Sequence, residues 1–336
     1  MAPLDTDTRV APLGGDQIPA VPTGGPVPTG GPVPTGGPVP TGAAGWTPLA
    51  RGALLDRLRV TGRPRPLADP DRVDRLRRSI EDRIGPLAGT PDHPLVVTKG
   101  SLTRALSCDA HREPAGFSEQ PFSLPLAVGA LVDVLFRQLV TVGSLGDPMA
   151  DGLDALRVDD RRAALLHWIE GLPYGDRRAL AGEVRRQATG LVERWPALDP
   201  AWLPRTEESM RVALAGGSVE LAARVDLAVG RPGLDVASVG IVEVKSGSRR
   251  PEHRLDLGFY ALVEALRRPA PPFVVATYYT RSGELDVEPV DDELLAAAAR
   301  RTVAGVRAME RGAGRGGDGG VPGACAGCAT QVPFDR

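Results

Sequence analysis

The sequence predicts an α/β fold: a central mixed β-sheet flanked by helices, with a helical insert and a disordered N-terminal tail. Three observations carry this reading. Short apolar runs that alternate between two faces, such as Ile241-Val242-Glu243-Val244-Lys245, are bounded by Gly, Pro and Ser and read as strands. Between them lie stretches whose apolar residues recur at helical spacing, such as Val73, Leu76, Ile80 and Ile84. The length, 336 residues with 42% hydrophobic, suffices for one large core or a core with an insert.

Residues 1–46 repeat Val-Pro-Thr-Gly-Gly-Pro from Val21, Val27 and Val33, with a partial copy from Val39. Alternating Pro and Gly offers too little apolar surface to offset the entropy of ordering, so a spacer or tether is expected. Residues 47–93 read as an Arg-rich helical arm, with a helix started by Asp69-Pro70. Its outer face mixes arginines with Asp71, Asp74, Glu81 and Asp82, which suits a solvated surface. The main domain, 94–336, opens with a strand at Pro94–Thr98, a short helix from Lys99 to Cys108, and an apolar helix at Leu126–Val140. Residues 151–204 read as a helical insert, with one helix at Asp159–Leu172 and another at Gly175–Trp195. Strands at Met210–Leu214 and Val219–Val229 follow, joined by Ala-Gly-Gly-Ser, then the strand at 241–245 and a helix at Pro251–Arg267. Strands at Phe273–Thr280 and Leu285–Pro289 and a helix at Asp291–Arg311 complete the core; a Gly-rich linker and a Cys-x-x-Cys tail occupy 312–336.

Composition narrows the function classes. A net charge of −2 gives no global basic field, so any nucleic-acid surface must be a local patch. Three cysteines are too few for a disulfide scaffold and suit a reducing compartment. Met1–Gly15 lacks the pattern of a signal peptide, and Phe122–Val142 carries Asp133 and Arg137, as expected of a buried helix rather than a membrane span. A cytoplasmic protein without a membrane partner is expected.

The chemistry concentrates between Val219 and Tyr260. In a strand, side chains two apart share a face, so Glu243 and Lys245 point together while Val242 and Val244 face an apolar layer. Asp226, at the end of the preceding strand, can reach the same spot. Two carboxylates and a lysine at a sheet margin suit a hard divalent cation and an activated water. Lysine usage sharpens this. Of 40 Lys and Arg together only Lys99 and Lys245 are lysines, leaving 38 arginines, so a lysine here fills a role a guanidinium cannot.

Asp226 followed by Glu243-x-Lys245 resembles the PD-(D/E)XK nuclease superfamily, and in particular its RecB-like exonuclease family. The resemblance implies a restriction-endonuclease-like core and a Mg²⁺- or Mn²⁺-dependent DNA nuclease acting on single strands or ends in repair or recombination. It implies Asp226, Glu243, Lys245 and Tyr260 as catalytic residues, with metal held by Asp226, Glu243, the Val244 carbonyl and Asp133. Gly129-x-x-x-Asp133 stands where the family has Gly followed by a metal-ligating His; an Asp133–Arg137 surface pair is the alternative. Asp256 stands where the family has Gln, four residues before Tyr260, which is either a substrate contact or a core tyrosine. Glu207 or Glu208 would be a supporting acid, and Arg249, Arg250 and Arg254 would meet phosphates. Cys108, Cys325 and Cys328 match three of the four cysteines of the family's iron–sulfur members. The readings left open are a 4Fe-4S cluster with another fourth ligand, zinc with His111, or an empty site. The rival function is a non-catalytic DNA-binding or scaffold subunit on the same fold; hydrolysis of another phosphodiester is a third.

Overall fold

The computed structural model describes residues 48–59, 64–84, 89–106, 122–233 and 235–313. Within them are six strands: β1 (Leu95–Val97), β2 (Arg205–Leu214), β3 (Val219–Val229), β4 (Gly240–Lys245), β5 (Val274–Tyr279) and β6 (Glu284–Pro289). The helices are α1 (Pro48–Arg59), α2 (Pro70–Ile84), α3 (Lys99–Leu106), α4 (Leu124–Val142), α5 (Pro148–Arg157), α6 (Ala163–Glu170), α7 (Tyr174–Arg194), α8 (Glu252–Arg267) and α9 (Asp292–Ala313). The strands make one mixed sheet in the order β1-β3-β4-β5-β6, with β2 also paired to β3. The α/β class expected from the sequence is the one observed.

The pairing around β3 decides where a site can form. A strand has two edges, and β2 runs antiparallel along one of them, from Leu214↔Val219 to Arg205↔Ala228. The other edge is shared: β1 pairs in parallel with Val219–Leu221, and β4 pairs antiparallel with Leu227–Val229. Between those pairings, residues 222–226 have no strand on that side among the described residues. The sheet is split there. On its far side β4 continues in register with β5 as far as Lys245↔Tyr279. The parallel β4–β5 connection needs a crossover, and α8 supplies it.

Helices cover both faces. On one, Ile80 of α2, Leu102 of α3, Leu262 of α8 and Val306 of α9 are buried against Leu221, Val225, Ile241 and Val275. On the other, Leu131 and Phe136 of α4, Leu156 of α5, Ile169 of α6 and Leu191 of α7 are buried against Leu227, Val242, Ala276 and Tyr278. β5, Val-Val-Ala-Thr-Tyr-Tyr, is buried along its whole length, as a strand covered on both faces must be. Rings interlock in the second layer: Phe136–Trp195 and Trp195–Tyr278 meet edge to face with centroids 4.8 Å apart.

The helix that brings residues to the site from this second layer is α4. Ser123 caps it by accepting from the Leu126 N–H, and Gly143 ends it at φ 84°, its N–H donating to the Leu139 carbonyl. By length and composition α4 could cross a membrane, but Ala127, Leu131, Val132, Leu135 and Phe136 are buried in the core. Two helical boundaries differ from expectation. Asp159–Leu172 is not one helix: Asp159 accepts from the Arg161 N–H and starts a 3₁₀ turn at Asp160–Arg162 before α6. A separate α5, capped by Asp147 and carrying Pro148 in its first turn, precedes it.

One irregularity matters more than the boundaries. In a regular strand all odd-numbered residues of β3 would share a face. Val219, Leu221 and Val225 do face the first layer, yet Leu227 and Val229 face the second, and Ala228 the first. The strand therefore changes face between 225 and 227. At the same place the β2–β3 ladder skips a step: Thr206 pairs with Leu227 and Glu208 with Val225, while Glu207 and Asp226 are unpaired in the ladder. Glu207 carries the fault, with φ 56°, a left-handed conformation that costs a non-glycine residue roughly 1–3 kcal/mol.

Candidate metal centre

Asp226 sits at this fault, which lets it face both layers. The β3–β4 pairing ends at Leu227↔Val242, one step short of setting Asp226 opposite Glu243. The backbone N–H of Val244 is then donated to the Asp226 carboxylate, at 2.6 Å from Oδ2. Towards the second layer, one carboxylate oxygen each from Asp133 of α4, Glu207 of β2 and Asp226 of β3 lie within 4.8 Å of one another. Towards the first layer is Glu243, only 2% exposed, held by two ammonium groups. Lys245 Nζ is 2.6 Å from its Oε1, and Lys99 at the start of α3 contacts the same oxygen. Asp256 of α8 lies 3.7 Å from Lys245.

Electrostatics follow from this crowding. Burial, then the charges of Glu243 and Asp133, hold the Asp226 carboxyl well above the usual carboxylate range. Burial also pushes Glu243 upward, but the Lys99 and Lys245 charges overcome it and leave Glu243 below its ordinary value. Lys245 is lowered by burial and raised by Glu243, with a net rise, so it is a firm ammonium suited to orienting groups rather than removing a proton. The acids on the α4 side have their own counter-charges. Asp133 is 2.8 Å from Arg162 and 3.6 Å from Arg137, while Glu207 is 3.0 Å from Arg224 and 3.9 Å from Arg137.

Two buried carboxylate oxygens of the centre, Asp133 Oδ1 and Glu243 Oε2, have no hydrogen-bond partner among the described residues. A buried acceptor left unmade costs about 1–3 kcal/mol, more when charged, so such atoms mark a place for a cation. Carboxylate oxygens at this spacing, from several strands and a helix, fit a hard divalent ion that takes oxygen ligands and keeps waters. The trio Asp133, Glu207 and Asp226 can bind a divalent metal. Glu243 is not among the three, and Val244 meets Asp226 through its N–H.

The centre opens on a cavity of about 290 Å³ lined by Asp133, Lys245, Ser246, Ser248, Arg250 and His253, among others. Gly129, one turn before Asp133, explains how the loop after β4 comes so close to α4: a Cβ there would lie 3.2 Å from Ser246 Oγ. His253 makes a 3.1 Å hydrogen bond with the Tyr279 hydroxyl, and burial followed by the Lys245 charge lowers its pKa.

The other sequence candidates divide between the centre and its surroundings. Tyr260 is 1% exposed, with its ring 5.1 Å from the Lys99 ammonium. Burial, then the charges of Glu243 and Asp226, push its hydroxyl well above its ordinary range, so it packs against the carboxylates from the first-layer core. Of the three arginines expected to meet phosphates, Arg250 lines the cavity, whereas Arg249 is 2.6 Å from Asp286 and Arg254 bonds Glu288 at 2.8 Å. Both acids belong to β6. Glu207, not Glu208, joins the acidic group; Glu208 is held by Arg205 at 2.8 Å. Cys108, His111, Cys325 and Cys328 lie outside the described residues. Lys99 is the residue that sequence reasoning passed over, although the rarity of lysine that singled out Lys245 applies equally to it.

No protein-family model matches the chain, and no curated protein matches it. Among solved structures it is similar to a "Putative exonuclease" from Eubacterium rectale, at 14% identity and a TM-score of 0.39, over 72% of this chain and 90% of that one. It is similar also to SSO0001, at 11% identity and a TM-score of 0.26, over 68% of this chain and 82% of that one. Likenesses this distant leave the functional reading to the chain's own residues.

Proposed function

We propose that the chain is a divalent-metal-dependent nuclease that hydrolyses phosphodiester bonds in DNA, on single strands or ends. The observation that supports it is the meeting of Asp226, Glu243 and Lys245 with Asp133 and Glu207 at a break in the sheet that opens on a cavity. Asp133, Glu207 and Asp226, with Glu243 beside them, would hold Mg²⁺ or Mn²⁺. A cation bound there supplies charge to the phosphate and lowers the pKa of a coordinated water. Lys245 would orient the attacking water and face the phosphate as an ammonium, while Arg250 and His253 on the cavity wall would hold the DNA backbone. The water oxygen forms the new bond to phosphorus as its proton passes to solvent, the ester P–O bond breaks, and the departing oxygen takes a proton from solvent.

The test is cleavage of end-labelled single- and double-stranded DNA by the purified chain with Mn²⁺ or Mg²⁺. Wild type should cut, and Asp226→Asn and Lys245→Ala should lose at least a hundredfold in rate while remaining folded. Equal cutting by all three, or none by wild type, overturns the reading. One observation favours a second reading, a DNA-binding subunit without catalysis: Arg137, Arg162 and Arg224 already supply counter-charge to Asp133 and Glu207. That subunit would bind DNA with a steep salt dependence and cut nothing.

A further inference from the structure

Both lysines of the chain end on one oxygen. With 40 Lys and Arg together, of which two are lysines, chance does not favour the pair meeting. Yet Lys99 and Lys245, from segments on opposite sides of the split in the sheet, both contact Glu243 Oε1, while Oε2 has no hydrogen-bond partner among the described residues.

Lys99 is held there at some local expense. It is the first residue of α3, where the helix dipole disfavours a cation. Its backbone is fixed by a reciprocal cap: the Thr98 N–H donates to Ser101 Oγ at 2.8 Å, and the Ser101 N–H to Thr98 Oγ1 at 3.1 Å. α3 is anchored by Leu102, fully buried, against α9 at Gly305, where a Cβ would come within 2.3 Å of Leu102 Cδ2. The ammonium lies 5.1 Å from the centre of the Tyr260 ring, a further attraction for a cation.

We propose that Lys99 is a positioning residue of the reaction assigned above: it is the standing counter-charge of Glu243, which frees Lys245 to leave that carboxylate for the attacking water and the scissile phosphate. This rests on the nuclease reading. With only one lysine, the same ammonium would have to neutralise a buried glutamate and serve the substrate at once. With two, Glu243 stays paired and oriented throughout the step. An arginine in either place would bring a broad planar fork where two compact cations share one oxygen.

A chain with two lysines gives two signals when lysine is ¹³C-labelled at Cε, and Glu243→Gln should move both. Adding Mg²⁺ and a non-hydrolysable phosphorothioate oligonucleotide should then shift the Lys245 signal and leave that of Lys99 nearly in place; Lys99→Met and Lys245→Arg assign them. In parallel, Lys99→Met should lower kcat about ten- to a hundredfold, as loss of a supporting partner typically does, with KM for DNA nearly unchanged. Lys99→Arg, which keeps the charge, should recover part of the loss. The proposal is overturned if Lys99→Met keeps wild-type kcat, if it raises KM alone, or if the Lys99 signal follows the substrate as that of Lys245 does. Failure of the nuclease reading looks different: no variant cuts DNA and neither signal answers to Mg²⁺ with oligonucleotide, though both still answer to Glu243→Gln.

Discussion

Asp226→Asn should stabilise the metal-free protein while abolishing its response to divalent cations. In the metal-free chain Asp226 shares a space of 4.8 Å with Asp133 and Glu207 and also faces Glu243. Two unit charges at that separation repel by about 3.5 kcal/mol at an effective dielectric of 20 and by about 0.9 kcal/mol in water. The arginines on Asp133 and Glu207 offset part of this, so a net gain of about 1–2 kcal/mol is expected at pH values where Asp226 is ionised, or a few degrees in Tm for a protein of this size. The amide oxygen of asparagine can still accept from the Val244 N–H, so the backbone bond survives. The sign of the pH dependence follows from the raised Asp226 pKa. Its contribution to stability is full below the unfolded carboxyl pKa and is lost as pH rises through the elevated folded value. The stability difference between variant and wild type should therefore widen with pH over that range. Cation and proton compete for the same carboxylate, so the stabilisation by Mn²⁺ should grow with pH in wild type, reaching about 2.7 kcal/mol at a hundredfold excess over Kd. Calorimetry of both proteins across pH, with and without Mn²⁺, measures all of this. A variant that is less stable than wild type without metal, or that gains as much from Mn²⁺, refutes the reasoning.

Other outcomes follow from the same geometry. Glu207→Gln should lose most of the Mn²⁺-induced rise in Tm, whereas Glu208→Gln, one residue along but bound to Arg205, should keep it. Arg162→Ala removes the 2.8 Å partner of Asp133; titration calorimetry should show Mn²⁺ binding several-fold tighter, at a stability cost of about 1–2 kcal/mol. Phe136→Ala, fully buried against Trp195 on the core face of the acid-bearing helix, should cost about 3–5 kcal/mol in urea unfolding. For Cys108, Cys325 and Cys328 the expectation is bound iron, seen as visible absorption and in elemental analysis; zinc at one equivalent would instead support the Cys₃His set with His111.

Much of the sheet was legible because its strands announce themselves. Ile241–Lys245 alternates as a strand should, and the run from Val274 to Tyr279 is apolar enough to need cover on both faces. The spacing of Asp226, Glu243 and Lys245 could be read in the same way. What could not be read is the fault at Glu207 and Asp226. Period-two reasoning assumes a regular strand, and nothing in Glu207-Glu208 tells which carboxylate takes the left-handed backbone and turns towards Asp133. Lys99 was missed for a topological reason. Its contact with Glu243 exists only because β1 and β4 share one edge of β3, a pairing between segments more than a hundred residues apart. Arg249 and Arg254 sit beside the site in sequence, but Asp286 and Glu288 on the β6 hairpin hold them away from it, and no local pattern reports a cross-element ion pair.

The central claim is that a divalent cation binds where the sheet splits. Anomalous diffraction from crystals grown with Mn²⁺ tests it most directly. The expected result is a manganese peak within coordination distance of the Asp226 carboxylate and of Asp133 or Glu207. Contradiction would be a well-ordered centre without manganese, its carboxylates still closed on Arg137, Arg162, Arg224 and the two lysines at a saturating concentration of the metal.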